Sequence, residues 1–251
     1  MVSLKGKIAL VTGGSAGLGA AIVRKLAVEG CNVAINYSSS KDRAEALAKE
    51  VSDSHKIKAI VLQGDVSKAS VCKDLVEATV AQLGGLDVVV SNAGWTRVVD
   101  FTKIDELEEE DFDRCYNMNV KAHFNLFRAS KPHFDAAADG GVFLVSASVA
   151  GLKPGGSSIP YSLTKAASIH LVKCLAKSQG PKCRVNAVCP GLLLTEWGLR
   201  FGEERIKKME QLVPLKFSSK IEDNADMFIA LAKNSSATGA IVSVDSGMSV
   251  V

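Results

Sequence analysis

Short β-branched or aliphatic runs alternate with longer, helix-periodic stretches along the whole chain. The strand candidates are Ile8–Thr12, Asn32–Tyr37, Ala59–Gln63, Asp87–Ser91, Val142–Ser146, Arg184–Val188 and Ile241–Val244. Between them the spacing predicts helices over 17–29, 41–53, 68–83, 108–134, 160–179 and 222–232. Strand and helix in strict turn argue βαβ units and a parallel sheet. The expected fold is α/β, a doubly wound parallel sheet of about seven strands with helices on both faces. No linker, repeat or low-complexity segment divides the chain, so residues 1–251 read as one domain. The single irregular insertion is Thr195–Leu215, whose amphipathic part Phe201–Leu212 suits a mobile lid. Ser39-x-x-Asp42 resembles a cap for the second helix, and Pro160 suits the first position of the fifth, with Tyr161 in its first turn.

Composition narrows the function. At 251 residues the chain can bury a large core, and 47% hydrophobic with only 6% aromatic content makes that core aliphatic. Thirty basic and 27 acidic residues leave a net charge of +3, too balanced for an electrostatic nucleic-acid binder. No secretory signal or membrane span is apparent, because the first strand-like run begins almost at the terminus. The six cysteines, Cys31, Cys72, Cys115, Cys174, Cys183 and Cys189, form no C-x-x-C pair. Buried reduced thiols in a cytoplasmic setting are the expectation. The sequons at Asn36 and Asn234 would then go unmodified. No metal site is expected: the acidic run Asp105–Asp113 reads as a solvated helix start, where carboxylates favour the positive end of the dipole.

The chemistry concentrates in three places. Thr12-Gly-Gly-Ser-Ala-Gly-Leu-Gly19 follows a strand and opens a helix, so its glycines permit a tight turn and close approach of a pyrophosphate to free helix N–H groups. Tyr161 and Lys165 are four apart and share a helix face, where an ammonium would lower the phenol pKa from about 10 and tune it for acid–base work. Ser148 stands thirteen residues before Tyr161. A serine-hydrolase reading fails, because Ser148 lacks a nucleophile elbow and no histidine is placed by motif to activate it. His55, His123, His133 and His170 read as surface or packing residues.

Taken with Asp65-Val66, Ser91-Asn92-Ala93-Gly94, Asn119 and Pro190-Gly191 followed by Thr195, these motifs resemble the short-chain dehydrogenase/reductase family in its compact form. The resemblance covers essentially the whole chain and implies a Rossmann-type fold. It implies hydride transfer between a nicotinamide and a carbonyl or carbinol carbon, with Tyr161 exchanging the proton and Ser148 hydrogen-bonding the same oxygen. It further implies that Lys165 tunes Tyr161 and binds the nicotinamide ribose, and that Asn119 holds a water linking Lys165 to solvent. The cofactor contacts it implies are Gly13, Ser15, Gly17, Leu18, Gly19, Tyr37, Ser38, Ser39, Asp65, Val66, Asn92, Ala93, Gly94, Tyr161, Lys165, Pro190, Gly191, Leu193 and Thr195. Ser91 replaces an asparagine common in the family.

Cofactor choice turns on the end of the second strand, where a carboxylate would select NAD by repelling a 2′-phosphate. Tyr37 takes that position, Ser38 takes that of an arginine common in NADP-dependent relatives, and Ala16 likewise departs from a common basic residue. The hydroxyls of Ser38, Ser39 and Ser40 with Lys41 and Arg43 nearby favour NADP(H). Substrate contacts are expected from the loops after strands four to six: Trp95, Val98, Val99, Leu152, Pro154, Trp197, Leu199 and Phe201. With Trp95, Ser148 and Trp197 nearest, the substrate expected is a small apolar carbonyl compound, and the function that of a carbonyl reductase or alcohol dehydrogenase. A non-redox lyase or cyclase and a non-catalytic cofactor-binding protein are the alternatives. The family resemblance also implies a homo-oligomer, tetramer or dimer, pairing the helices 111–134 and 160–179, the second carrying Ala166, Ala167, Ile169, Leu171, Val172, Leu175 and Ala176.

Overall fold

The computed structural model describes residues 1–251. Seven strands, β1 (Ile8–Val11), β2 (Asn32–Tyr37), β3 (Ala59–Gln63), β4 (Val88–Ser91), β5 (Gly141–Ser146), β6 (Cys183–Pro190) and β7 (Ile241–Val244), form one sheet in the order β3-β2-β1-β4-β5-β6-β7. Every pairing is parallel. The inner strands β1, β2, β4, β5 and β6 are buried on both faces, which is why their runs read as mostly apolar rather than as alternation, whereas the edge strands β3 and β7 are only partly covered. Val88 and Val90 of β4 enter the core of one face with Ala9 and Val11. Val89 enters the other with Leu10, and Phe143 and Val145 of β5 join it there.

The helices are α1 (Gly17–Val28), α2 (Lys41–His55), α3 (Ala69–Leu83), α4 (Glu109–Tyr116), α5 (Ala122–Ala136), α6 (Ile159–Gln179), α7 (Glu203–Leu212) and α8 (Ile221–Lys233). None is long and apolar enough to cross a membrane. The strand order reverses between β1 and β4, so the loops after these two strands part and leave a crevice at the carboxyl edge. This crevice positions the site.

Four local expectations need correction. The helix expected over 108–134 is interrupted by a π turn at Asn117–Lys121, where the Ala122 N–H reaches back to the Asn117 carbonyl. Ser40 rather than Ser39 precedes α2, and no side chain caps that helix. Pro160 is the second residue of α6, because Ser158 is its cap and accepts the Tyr161 N–H. Five cysteines are buried, but Cys174 is exposed on the outer face of α6. The acidic run does start a helix: Asp111 accepts the Glu108 N–H at 3.0 Å and pairs with Arg97 at 2.6 Å.

Candidate active site

The glycine loop is held in place by side chains from two other strands. The Asn36 amide oxygen accepts the Gly13 N–H (3.3 Å). Its amide nitrogen donates to the carbonyls of Leu62 and Gly64, so one buried residue sets the distance between the ends of β1, β2 and β3. From β4, Asn92 donates to the Thr12 carbonyl (3.0 Å) and Thr12 Oγ1 accepts the Asn92 N–H. A Cβ on Gly19 would stand 2.2 Å from the Gly13 carbonyl oxygen and 2.7 Å from Asn92 Nδ2, so only glycine fits. Ala16, the cap of α1, has no side-chain acceptor, which leaves the first N–H groups of α1 without one from their own cap. Such a turn with exposed amides suits an anionic phosphate.

The crevice opens into one cavity of about 930 Å³. Gly13, Ser15, Gly17, Leu18, Gly19, Ser38, Asp65, Val66, Asn92, Ala93, Gly94, Ser148, Tyr161, Lys165, Pro190, Gly191, Leu193 and Thr195 all line it. Thr195 folds back on the glycine loop, its methyl 3.1 Å from where a Gly17 Cβ would be. Tyr37 does not line the cavity: it is only 6% exposed and belongs to the core beneath α2, with Ala44 and Leu47. Ser39 also lies outside the lining, whereas Arg24, Asn36 and Arg43 belong to it. On the substrate side Trp95, Trp197 and Phe201 line the cavity, and Val98, Val99, Leu152, Pro154 and Leu199 do not.

Ser148 lies two residues beyond β5 and caps a tight turn at Val149–Gly151, its hydroxyl accepting the Ala150 N–H (3.1 Å). Beside it stands the Tyr161 phenol, with the Trp197 ring 6.0 Å from its own, centre to centre. Lys165 is 4% exposed and donates to the Ser146 carbonyl at 2.7 Å. No carboxylate accompanies it, and burial pulls its ammonium down to about 8. The Tyr161 phenol moves the other way, pushed up to about 12 by burial and drawn back only in part by Ser148. The expected lowering by Lys165 is therefore absent. Its ammonium sits 5.5 Å from the Tyr161 ring centre and is spent on Ser146, so desolvation wins.

Asn119 lies at the heart of the π turn and is fully buried. Its amide clamps the Trp95 backbone from both sides: Oδ1 accepts the Trp95 N–H and Nδ2 donates to the Trp95 carbonyl, each at 2.9 Å. Nδ2 also reaches Thr164 Oγ1 on α6 (3.1 Å). Asn119 is not part of the cavity wall, yet it meets Lys165 across Gly94. A Cβ on Gly94 would be 3.1 Å from Asn119 Oδ1 and 3.9 Å from Lys165 Nζ.

Sequence reasoning passed over Asn36 and Arg114 as site residues and weighed Ser146 only as a competitor of Ser148, setting it aside on its spacing to Tyr161. Asn36 and Ser146 had a signal, since a polar residue inside an aliphatic strand needs partners once buried. Ser146 supplies the carbonyl for Lys165 and its hydroxyl donates to Asn92 Oδ1 (2.9 Å). His123 is a packing residue, fully buried and 2.6 Å from the Ser91 hydroxyl, which explains how serine serves at that position.

A family model described as short chain dehydrogenase matches residues 7–206. The chain belongs to the short-chain dehydrogenase/reductase family. A putative ketoacyl reductase of the granaticin polyketide synthase from Streptomyces violaceoruber is 34% identical, over 96% of this chain and 95% of its own. Among solved structures, a short-chain dehydrogenase/reductase from Serratia marcescens superposes with a TM-score of 0.90 at 34% identity, over 99% and 100% of the two chains. One from Burkholderia cenocepacia, in complex with NADP, gives 0.90 at 30%, over 98% and 99%. Short-chain dehydrogenase/reductases are oxidoreductases that bind a nicotinamide cofactor, and the glycine cradle with its free helix amides fits one here.

Proposed function

We propose that this protein is an NADP(H)-dependent carbonyl reductase, or the alcohol dehydrogenase of the reverse direction, acting on an apolar ketone or secondary alcohol. The observation that carries the reading is that Ser148, Tyr161 and buried Lys165 share one cavity with the glycine cradle. A bound nicotinamide supplies the hydride. Tyr161 donates its phenol proton to the substrate oxygen as charge develops there, and Ser148 hydrogen-bonds the same oxygen. A phenol held near 12 is protonated at neutral pH, which suits it to the donor role in reduction. Lys165 keeps a positive charge beneath the site up to about pH 8. Asn119 holds the Trp95 backbone, and with it one wall of the substrate side. A non-catalytic binder has no need of this set, and a lyase or cyclase using the same pocket would differ in leaving the cofactor without net oxidation.

The 2′-phosphate would lie at the end of β2, where Ser38 and Arg43 line the cavity and no carboxylate follows the strand. Arg43 reaches Glu196 of the lid segment at 2.8 Å, so its guanidinium is already turned into the cleft. The relative crystallised with NADP supports the same choice.

We further propose a homo-oligomer, a tetramer or a dimer, formed through α4–α5 and α6. Neighbours in the same chain already cover Ile169, Val172 and Leu175. What they leave is Ala166 together with Phe112, Tyr116, Phe124 and Leu163, the last four 41–57% exposed. A two-fold axis would pair that face with itself.

Three outcomes are expected. Tyr161→Phe should keep fold and nucleotide binding but lower turnover by roughly 10²–10⁴-fold. Turnover above about a tenth of wild type, where chemistry limits the rate, would remove Tyr161 from the acid role. Fluorescence titration should find NADPH bound more tightly than NADH, with Ser38→Asp reversing the order because a carboxylate repels the phosphate. Equal affinities in the wild type would mean the end of β2 is no phosphate site. Light scattering at micromolar concentration should report an oligomer, and a particle of 26.5 kDa would rule the interface out.

A further inference from the structure

The charges of the cavity wall do not balance. Five basic side chains line it, Arg24, Arg43, Arg114, Lys165 and Arg200, against two acidic ones, Asp65 and Glu196. Three of the five are satisfied within the protein. Arg24 holds Glu50 through two bonds of 2.6 and 2.8 Å, Arg43 holds Glu196, and Lys165 donates to the Ser146 carbonyl. Arg114 and Arg200 have no carboxylate within 4.0 Å. Asp111, three residues before Arg114 on the same helix and buried, is taken by Arg97 at 2.6 Å.

Arg114 is held all the same. Its guanidinium carbon sits 4.4 Å from the centre of the Trp95 ring, and Trp95 is the residue whose backbone Asn119 clamps. A guanidinium lying on an aromatic face keeps its planar edge of N–H donors free, and that edge matches a carboxylate through two parallel bonds. Trp95, Met118 and Trp197 are among the apolar residues that line the same cavity. We propose that the substrate is a ketone bearing a carboxylate at a distance from its carbonyl, with Arg114 binding the carboxylate and the tryptophans covering the apolar body between. This deepens the reductase reading and rests on it for the word ketone; the anion site itself does not.

The only two tryptophans of the chain both line the cavity, so their emission reports what enters it. The test titrates wild type with 4-acetylbenzoate, 3-(4-acetylphenyl)propionate and 4-(4-acetylphenyl)butyrate, each against its methyl ester, in the presence of NADPH. At least one acid should bind about tenfold or more tighter than its ester, the scale of a charge-assisted pair. Arg114→Ala and Arg114→Gln should erase that advantage, and Arg114→Lys should restore part of it. Equal binding of acid and ester across the series overturns the proposal, as does an acid preference that survives Arg114→Ala. NADPH absorbance followed with the same compounds separates the two readings. Acid preference without any NADPH oxidation would sink the reductase and leave the carboxylate site standing.

Discussion

The clamp of Asn119 on the Trp95 backbone is the constraint on which the site depends. A loop leaving a parallel strand has no partner for its amides once it turns over the crevice, and an unpaired buried amide is costly. Asn119 satisfies the N–H and the carbonyl of one residue at once, and its remaining donor reaches α6. Asn119 sits in the π turn that joins α4 and α5, and its own carbonyl accepts the Ser168 hydroxyl of α6. Three elements, the loop after β4, the α4–α5 helix pair and α6, are thereby locked to one side chain. Trp95 on one wall and Tyr161 and Lys165 on the other inherit their spacing from it.

Electrostatics on that frame are set by desolvation more than by neighbouring charge. Lys165 is a buried ammonium without a carboxylate, stabilised by the Ser146 carbonyl and lowered to about 8. Burial raises Tyr161 to about 12, and Ser148 draws it back only in part. The two values lie on either side of the ordinary reference for each other's class of group, and both keep the site protonated near neutral pH. The pairing that the four-residue spacing implies is real as proximity. As charge coupling it is weak in this structure, because the ammonium points to a backbone carbonyl instead of the phenol oxygen.

Most of the frame was legible because the signals were local. The aliphatic runs marked all seven strands, and glycines at the first turn marked a loop that tolerates no Cβ at Gly19. What escaped depended on three dimensions. The interruption at Asn117–Lys121 leaves no mark in periodicity, and the bonds that mark it, the Asn119 amide to the Trp95 backbone and the Ser168 hydroxyl to the Asn119 carbonyl, join residues far apart in sequence. Tyr37 holds the right position in the strand, yet its ring turns into the core beneath α2, so the residues presented to the cleft are Asn36, Ser38 and Arg43. Arg114 carries no motif at all. Only its place on the face of Trp95 distinguishes it from any other surface arginine.

The proposed reaction has a nicotinamide bound in this cavity give its hydride to a carbonyl carbon while Tyr161 supplies the proton to the oxygen. Stereospecifically 4-deuterated NADPH, in each of its two epimers, tests this directly with mass spectrometry of the alcohol product. One epimer should place a single deuterium on the carbinol carbon and the other none, in step with NADPH oxidised. Product formed without deuterium from either epimer, or without oxidation of the nucleotide, would contradict the account.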